Sequence, residues 1–342
     1  MTKQKVVYIE YLRIIAVLAV IGIHVSAPFF NKYGKIDNTI WWFANLISSS
    51  SRFAVPLFVM ISGSVLLGRD LPVRDFYVKR LKRVLLPLIF WSVFYLFIRV
   101  LDGGDLGKIF IYDFLLKGRV YPHLWYLTMY LCLILFVPYI DLCICGNKPT
   151  FRQLAVLIML LFMFDGLNWL SLIVNQVGKL NLLWYRSFPL FFGYFIAGYL
   201  LKKYDLSKFL SGRVTAVFLI FMVVLNPILN YWSCDHLGIV KDYFILSNYS
   251  LLIIFVTLLI FYYFKKISSY LPRNRFVLLL SGSSFGIYLV HPFWLNLIRQ
   301  HLPQYIDTYS FIFMPTQIIT TFTVSFVSIL LIKKIPLGKF IC

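Results

Sequence analysis

Between Tyr8 and Phe30 the chain reads YIEYLRIIAVLAVIGIHVSAPFF. As a helix this stretch is about 34 Å long, enough to cross a bilayer. Two of its side chains are out of place in lipid, Arg13 and His24, separated by ten residues that are all apolar or glycine. Eleven helical steps end about 20° beyond three full turns, so both side chains leave nearly the same face, about 16 Å apart along the axis. Lipid does not accept a permanent cation at depth, and that stripe therefore has to face protein or water. Glu10, one turn before Arg13, is placed to pair with it and hold its head. It is too far from His24 to orient the imidazole, so the sequence alone points to no carboxylate of the triad kind for this histidine.

The rest of the chain repeats the apolar pattern. Of its 342 residues, 61% are hydrophobic and only 13% charged, against about 25% charged in an average soluble domain. A soluble globular fold is thereby excluded. Apolar runs fall at 8–30, 40–67, 84–101, 123–142, 154–174, 183–201, 214–232, 246–264, 277–299 and 309–332. The expected fold is an all-α integral membrane protein of about ten transmembrane helices, a single membrane domain over 1–342 with no inverted internal repeat. The start reads as a retained first span, because Glu10 and Arg13 interrupt the apolar run and Ser26-Ala27-Pro28 offers no small-x-small cleavage site.

The net charge of +20 sorts by side. Of the 33 Lys and Arg residues, 21 lie in alternate connections beginning with the N-terminus and seven in the opposite set; Arg13, Arg52, Arg99, Arg186 and Arg299 lie in spans. A threefold excess places both termini in the cytoplasm. The same distribution assigns the basic charge to topology and to membrane lipids, with no nucleic-acid partner expected. The five cysteines form neither a disulfide framework nor a metal site; Cys143 and Cys145 are only two apart with no histidine nearby.

Several further groups carry chemistry or structure. Arg52, Asp165, Arg186 and His291 are intramembrane polar residues, and such residues line functional cavities or pair with one another; Asp165 suits the counter-charge of Arg52 or Arg186. Arg99 and Arg299, near span ends, are expected to snorkel to the interface. An imidazole at the depth of His24 can take a proton from a hydroxyl that attacks a carbonyl. In Lys79-Arg80-Leu81-Lys82-Arg83 the two arginines share a helix face at the membrane surface, which serves either anionic lipid or a bidentate phosphate clamp. His123-Leu-Trp-Tyr-Leu opens the fourth run, where Trp125 and Tyr126 suit an aromatic belt. From Val277 the chain rises about 21 Å to His291, the depth of His24. Pro292 leaves a carbonyl free in the preceding turn, a break that usually lines a cavity.

Taken together, YIEYLRIIAVLAVIGIH with its Arg-x10-His spacing, VPLFVMISGSVLL, FYVKRLKRVLLP with Arg-x2-Arg, HLWYL, FPLFFGYFIAGYLL and FGIYLVHP occur in an order that resembles the acyltransferase-3 family of multi-pass membrane O-acyltransferases. Among these the chain is similar to the compact stand-alone O-acetyltransferases of surface glycans. It departs from the pattern at Ile14, where a glycine often follows the arginine, and at Glu10, where aspartate is commoner.

The resemblance implies a cell-membrane enzyme. It would take an acyl group, usually acetyl, from cytoplasmic acetyl-CoA or another acyl-CoA to a hydroxyl of a glycan or lipid-linked sugar, with no bound cofactor. It implies His24 as the catalytic histidine, with Arg13 its partner, and Arg80 and Arg83 as acyl-CoA contacts. His123, Tyr288 and His291 carry over more weakly, and Glu10, Arg52, Trp125, Asp165 and Arg186 complete the expected lining. Whether His24 acts as general base or as transient acyl carrier is left open. The alternative from another class is an exporter or flippase of a glycan or lipid-linked sugar. A homo-oligomer and biosynthetic partner proteins are both compatible with the chain, and neither the acceptor nor the acyl group is spelled out by it.

Overall fold

The first apolar run forms one helix, α1 (Val7–Phe30), in a computed structural model that describes residues 7–69, 72–110, 113, 120–146, 150–152, 154–155, 158–159, 162, 191–205, 211–238, 247–301, 310–336 and 338–342. Among these residues all regular structure is helical. After α1 come α2 (Asn38–Ser51), α3 (Ala54–Leu66), α4 (Val73–Leu101), α5 (Trp125–Gly146) and α6 (Phe192–Lys203). The remainder is α7 (Gly212–Leu237), α8 (Leu251–Lys266), α9 (Arg275–His301) and α10 (Ser310–Ile332). Six of the described stretches are long and apolar enough to cross a bilayer: α1, α2 with α3, α4, α7, α9 and residues 311–332 of α10. The run expected at 154–174 and the first part of 183–201 lie largely outside the described residues.

Two of the expected boundaries move. The run 40–67 is broken at Arg52–Phe53, because Pro56 has no amide to bond the Arg52 carbonyl and a run of four serines precedes the break. The basic stretch 69–83, expected as a connection, contributes the first turns of α4, which begins at Val73 just after Pro72. Lys, Arg and Leu are good helix formers, and Asp75 complements the positive end of the helix dipole. At the start of α2, Asp37 accepts hydrogen bonds from the amides of Thr39 and Ile40. Those bonds, that of Ile40 foremost, hold its carboxyl below the ordinary carboxylate range.

Polar contacts sort the helix ends into two groups. At the basic end Lys202 Nζ donates to the Ser64 carbonyl (2.7 Å), Lys265 Nζ to those of Leu201 and Tyr204 (2.6 and 2.7 Å), and Lys333 Nζ to that of Gly282 (2.8 Å). Lysines at the helix ends thus complete carbonyls of neighbouring segments. At the opposite end Trp41 Nε1 donates to the Phe30 carbonyl (2.9 Å) and Tyr33 OH to Asp235 (2.8 Å).

α1 is the hub. It packs against α2, α3, α8, α9 and α10. Burial separates inner from outer helices: 56% of the apolar stretch of α1 and 67% of that of α9 are buried, against 28% in α4 and 22% in α7 and in α10. An apolar helix left so open is stable only where lipid covers it. On α4 the exposed face includes Ile89, Phe90, Val93 and Phe97; on α7 it includes Val217, Ile220 and Phe221.

The closest helix pair is α3 with α6. A Cβ on Gly63 would lie 1.7 Å from the Phe195 carbonyl oxygen, and one on Gly198 would lie 1.9 Å from that of Met60. Small residues at a membrane helix interface allow backbones to touch, and here any side chain forces them apart. Gly198→Ala is expected to cost at least about 1–3 kcal/mol of overpacking, read as a lower melting midpoint and less monodisperse protein in detergent. Gly282→Ala, whose Cβ meets nothing within 4 Å, is the control and should leave both unchanged.

Candidate active site

Three elements far apart in sequence bring three histidines together. His24 comes from α1, His291 from α9 and His123 from a 3-10 turn, Pro122–Leu124, that leads into α5. The rings of His24 and His291 are 5.2 Å apart, centroid to centroid, and those of His291 and His123 are 5.7 Å apart. His123 is 2% exposed and His291 0%.

The backbone explains the setting of His291. Pro292 has no amide, so the Tyr288 carbonyl lacks its helical partner four residues on. His291 Nδ1 lies 2.7 Å from that carbonyl. A carbonyl can only accept, so Nδ1 carries the proton and Nε2 is the free position. That Nε2 is buried with no hydrogen-bond partner. Both ring nitrogens of His123 are likewise buried and without a partner. The His123 turn is fastened instead through its backbone, whose carbonyl accepts from the Tyr288 hydroxyl. Around its imidazole stand the rings of Tyr95, Tyr121 and Tyr288, at 5.0, 5.7 and 5.5 Å.

The two arginines expected to snorkel also hold backbone carbonyls. Arg299 Nη2 donates to the His24 carbonyl at 2.7 Å and to that of Val25 at 3.3 Å. Pro28 stands four residues after His24 and leaves that carbonyl without an intrahelical amide. Arg99 pairs with Asp113 at 2.6 Å and donates to the Val120 carbonyl at 2.9 Å. It thereby ties down the strand of chain just before His123. In a bilayer an unsatisfied carbonyl costs several kcal/mol, and each guanidinium supplies a donor to one such group.

At the basic end Glu10 and Arg13 form the expected pair, 3.5 Å apart. Glu10 is 4% exposed and also accepts from the Ser281 hydroxyl of α9. Arg13 is within electrostatic range of Arg83, and Tyr130 is within range of Arg13, Arg80 and Arg83 together. Three of the sequence-selected arginines thus lie within electrostatic range of one phenol. From Tyr130 a column of rings leads inward. Tyr130 stacks on Tyr126 (5.8 Å, 12°), and Tyr126 meets Tyr288 edge-on (5.5 Å). Tyr288 in turn meets His123 (5.5 Å) and His291 (5.9 Å). Phe58 flanks the column at Tyr126 and Tyr288.

Other expected lining residues have contacts of their own. The Trp125 ring contacts Phe191 at 6.0 Å. Arg52, at the α2–α3 break, donates to Ser48 Oγ at 3.0 Å and lies 5.9 Å from the Phe30 ring centroid. Asp165 and Arg186, and with them the expected pairing of Asp165 with an arginine, lie outside the described residues. Tyr95, Tyr121 and Tyr130 stand at the site without having been singled out in the sequence, where Arg299 was read only as a snorkelling residue. Two signals were there to find them: Tyr126 and Tyr130 are four apart on one helix face, and Pro28 is four after His24. Among the described residues no group of three or more His, Cys, Asp or Glu side chains is arranged to hold a metal ion.

Chemically, the arrangement offers a basic cluster suited to phosphates at one end and buried imidazoles suited to proton transfer at the other. No curated protein and no solved structure matches the chain. A family model described as an acyltransferase domain matches residues 6–333, almost its whole length. With that span and its apolar helices, the chain is a multi-pass membrane protein that belongs to the acyltransferase-3 family.

Proposed function

We propose that the protein moves an acyl group, acetyl in the first instance, from acyl-CoA at the basic end to a hydroxyl of a surface or lipid-linked glycan at the opposite end. The single observation that carries this reading is the ring column Tyr130–Tyr126–Tyr288, which runs between the arginines and the histidines. A family of acyltransferases supplies the reaction class. With the excess of Lys and Arg at the basic end, that end faces the cytoplasm, where acyl-CoA is found, and the membrane concerned is the cell membrane.

In this mechanism Arg80 and Arg83 bind CoA phosphates by charge-assisted hydrogen bonds, and Glu10 holds Arg13 beside the path of the pantetheine arm. The thioester reaches towards His24, about 16 Å beyond Arg13 along α1. The His24 imidazole takes the proton of the acceptor hydroxyl as its oxygen attacks the thioester carbonyl. The tetrahedral intermediate then collapses, the carbon–sulfur bond breaks, and the imidazolium returns the proton to the departing thiolate. His291 and His123, desolvated beside it, shape the polar chamber in which this occurs.

Two outcomes follow for purified protein given labelled acetyl-CoA and a lipid-linked glycan acceptor. His24→Ala should lower acetyl transfer by about 100-fold or more at unchanged melting midpoint; full transfer would remove the histidine from the mechanism. Arg80→Ala combined with Arg83→Ala should raise KM for acetyl-CoA by about tenfold or more while altering kcat far less. Movement of acceptor across vesicles without CoA release, and indifferent to both arginines, would replace the acyltransferase reading with an exporter.

A further inference from the structure

The contact of Arg299 with α1 has no counterpart in the mechanism above. A half-buried arginine in a membrane protein is ordinarily matched to a carboxylate or drawn to water. Here its Nη2 is aimed at the backbone of the turn that carries His24. The vacancy it fills has a specific origin. Pro28 removes the amide that would bond the His24 carbonyl, and the proline ring pushes that carbonyl outward from the helix axis. A cation is well suited to a carbonyl so exposed, and a hydrogen bond from a charged donor is about twice as strong as a neutral one.

The same arginine is within electrostatic range of Tyr121, whose hydroxyl accepts from Asn296 Nδ2 at 2.7 Å. Tyr121 stacks on Tyr95 at 4.5 Å and meets His123 edge-on. Thus one α9 side chain is positioned between the His24 turn and the ring cluster around His123.

We infer that Arg299 is a positioning residue for His24: its guanidinium replaces the amide that Pro28 lacks and so fixes the height and direction of the imidazole on α1. The inference rests on the catalytic reading of His24, and it assigns no contact of Arg299 with substrate. It also gives Pro28 a purpose, since the proline makes the His24 turn depend on α9 rather than on α1 alone. The depth of the histidine is then set by the packing of two helices.

The pairing of a proline with an arginine permits a rescue test in the full-length protein. Arg299→Ala should lower kcat for acetyl transfer by about tenfold or more, the value of a lost charged hydrogen bond, with KM for acetyl-CoA within about twofold. Pro28→Ala restores an amide to the helix, so Pro28→Ala with Arg299→Ala should recover most of the kcat lost in Arg299→Ala. Hydrogen exchange of the peptide covering residues 22–30 reads the positioning without reference to activity. It should accelerate in Arg299→Ala and slow again in the double variant. A double variant no better than Arg299→Ala, or an Arg299→Ala protein of parental kcat, would overturn the inference. So would a loss confined to KM, which would make Arg299 a substrate contact. Failure of the catalytic reading is seen separately, as full turnover by His24→Ala with Arg299 intact.

Discussion

A backbone carbonyl that loses its amide inside a bilayer has to find another donor, because no water is there to supply one. The site in this protein is built on that requirement. Pro28 and Pro292 each free a carbonyl in one of the two most buried long helices. One carbonyl takes the guanidinium of Arg299 and the other takes the imidazole of His291. Breaks that would weaken a lone helix instead stitch α1 to α9 and orient a ring.

Enclosure follows from the same cost. Arg13 and three histidines cannot lie against acyl chains, and α1 is surrounded by five other helices. The outer helices need no such protection and present Val, Ile and Phe outwards. Close approach of the inner layer depends on positions with no side chain, Gly63 and Gly198, where α3 meets α6 backbone to backbone. Burial, polar pairing and helix spacing therefore agree on which residues face inward.

Much of this could be read before any coordinates. The helical class, the Arg13–His24 stripe, the Glu10–Arg13 pair and the common depth of His291 all follow from helix periodicity, which acts locally and is insensitive to what packs where. The break at Arg52–Phe53 and the early start of α4 were less legible. Hydropathy averages over a serine-rich break, and it reads a basic first turn as a loop although lysine and arginine are good helix formers. The contacts of Arg99 and Arg299 were hidden for a different reason. Snorkelling is a property of a side chain near a membrane surface, whereas the partners that capture these two, the Val120 carbonyl and the His24 carbonyl, come from segments 21 and 275 residues away. The tyrosine column was equally hidden, since Tyr126 suits an interfacial anchor, Tyr288 stood out only through the family resemblance, and nothing pointed to Tyr130 until α5 and α9 were set side by side.

The hydrogen bond inside the α9 turn restricts what His291 can do with a proton. An imidazole passes protons along a chain by accepting at one nitrogen and releasing from the other. In His291 the Nδ1 proton is committed to the Tyr288 carbonyl, so uptake and release both have to use Nε2. Its two imidazole neighbours, His24 at 5.2 Å and His123 at 5.7 Å between ring centroids, can therefore exchange protons with it only at that one atom. The backbone of α9 thus decides which edge of this imidazole is open to chemistry.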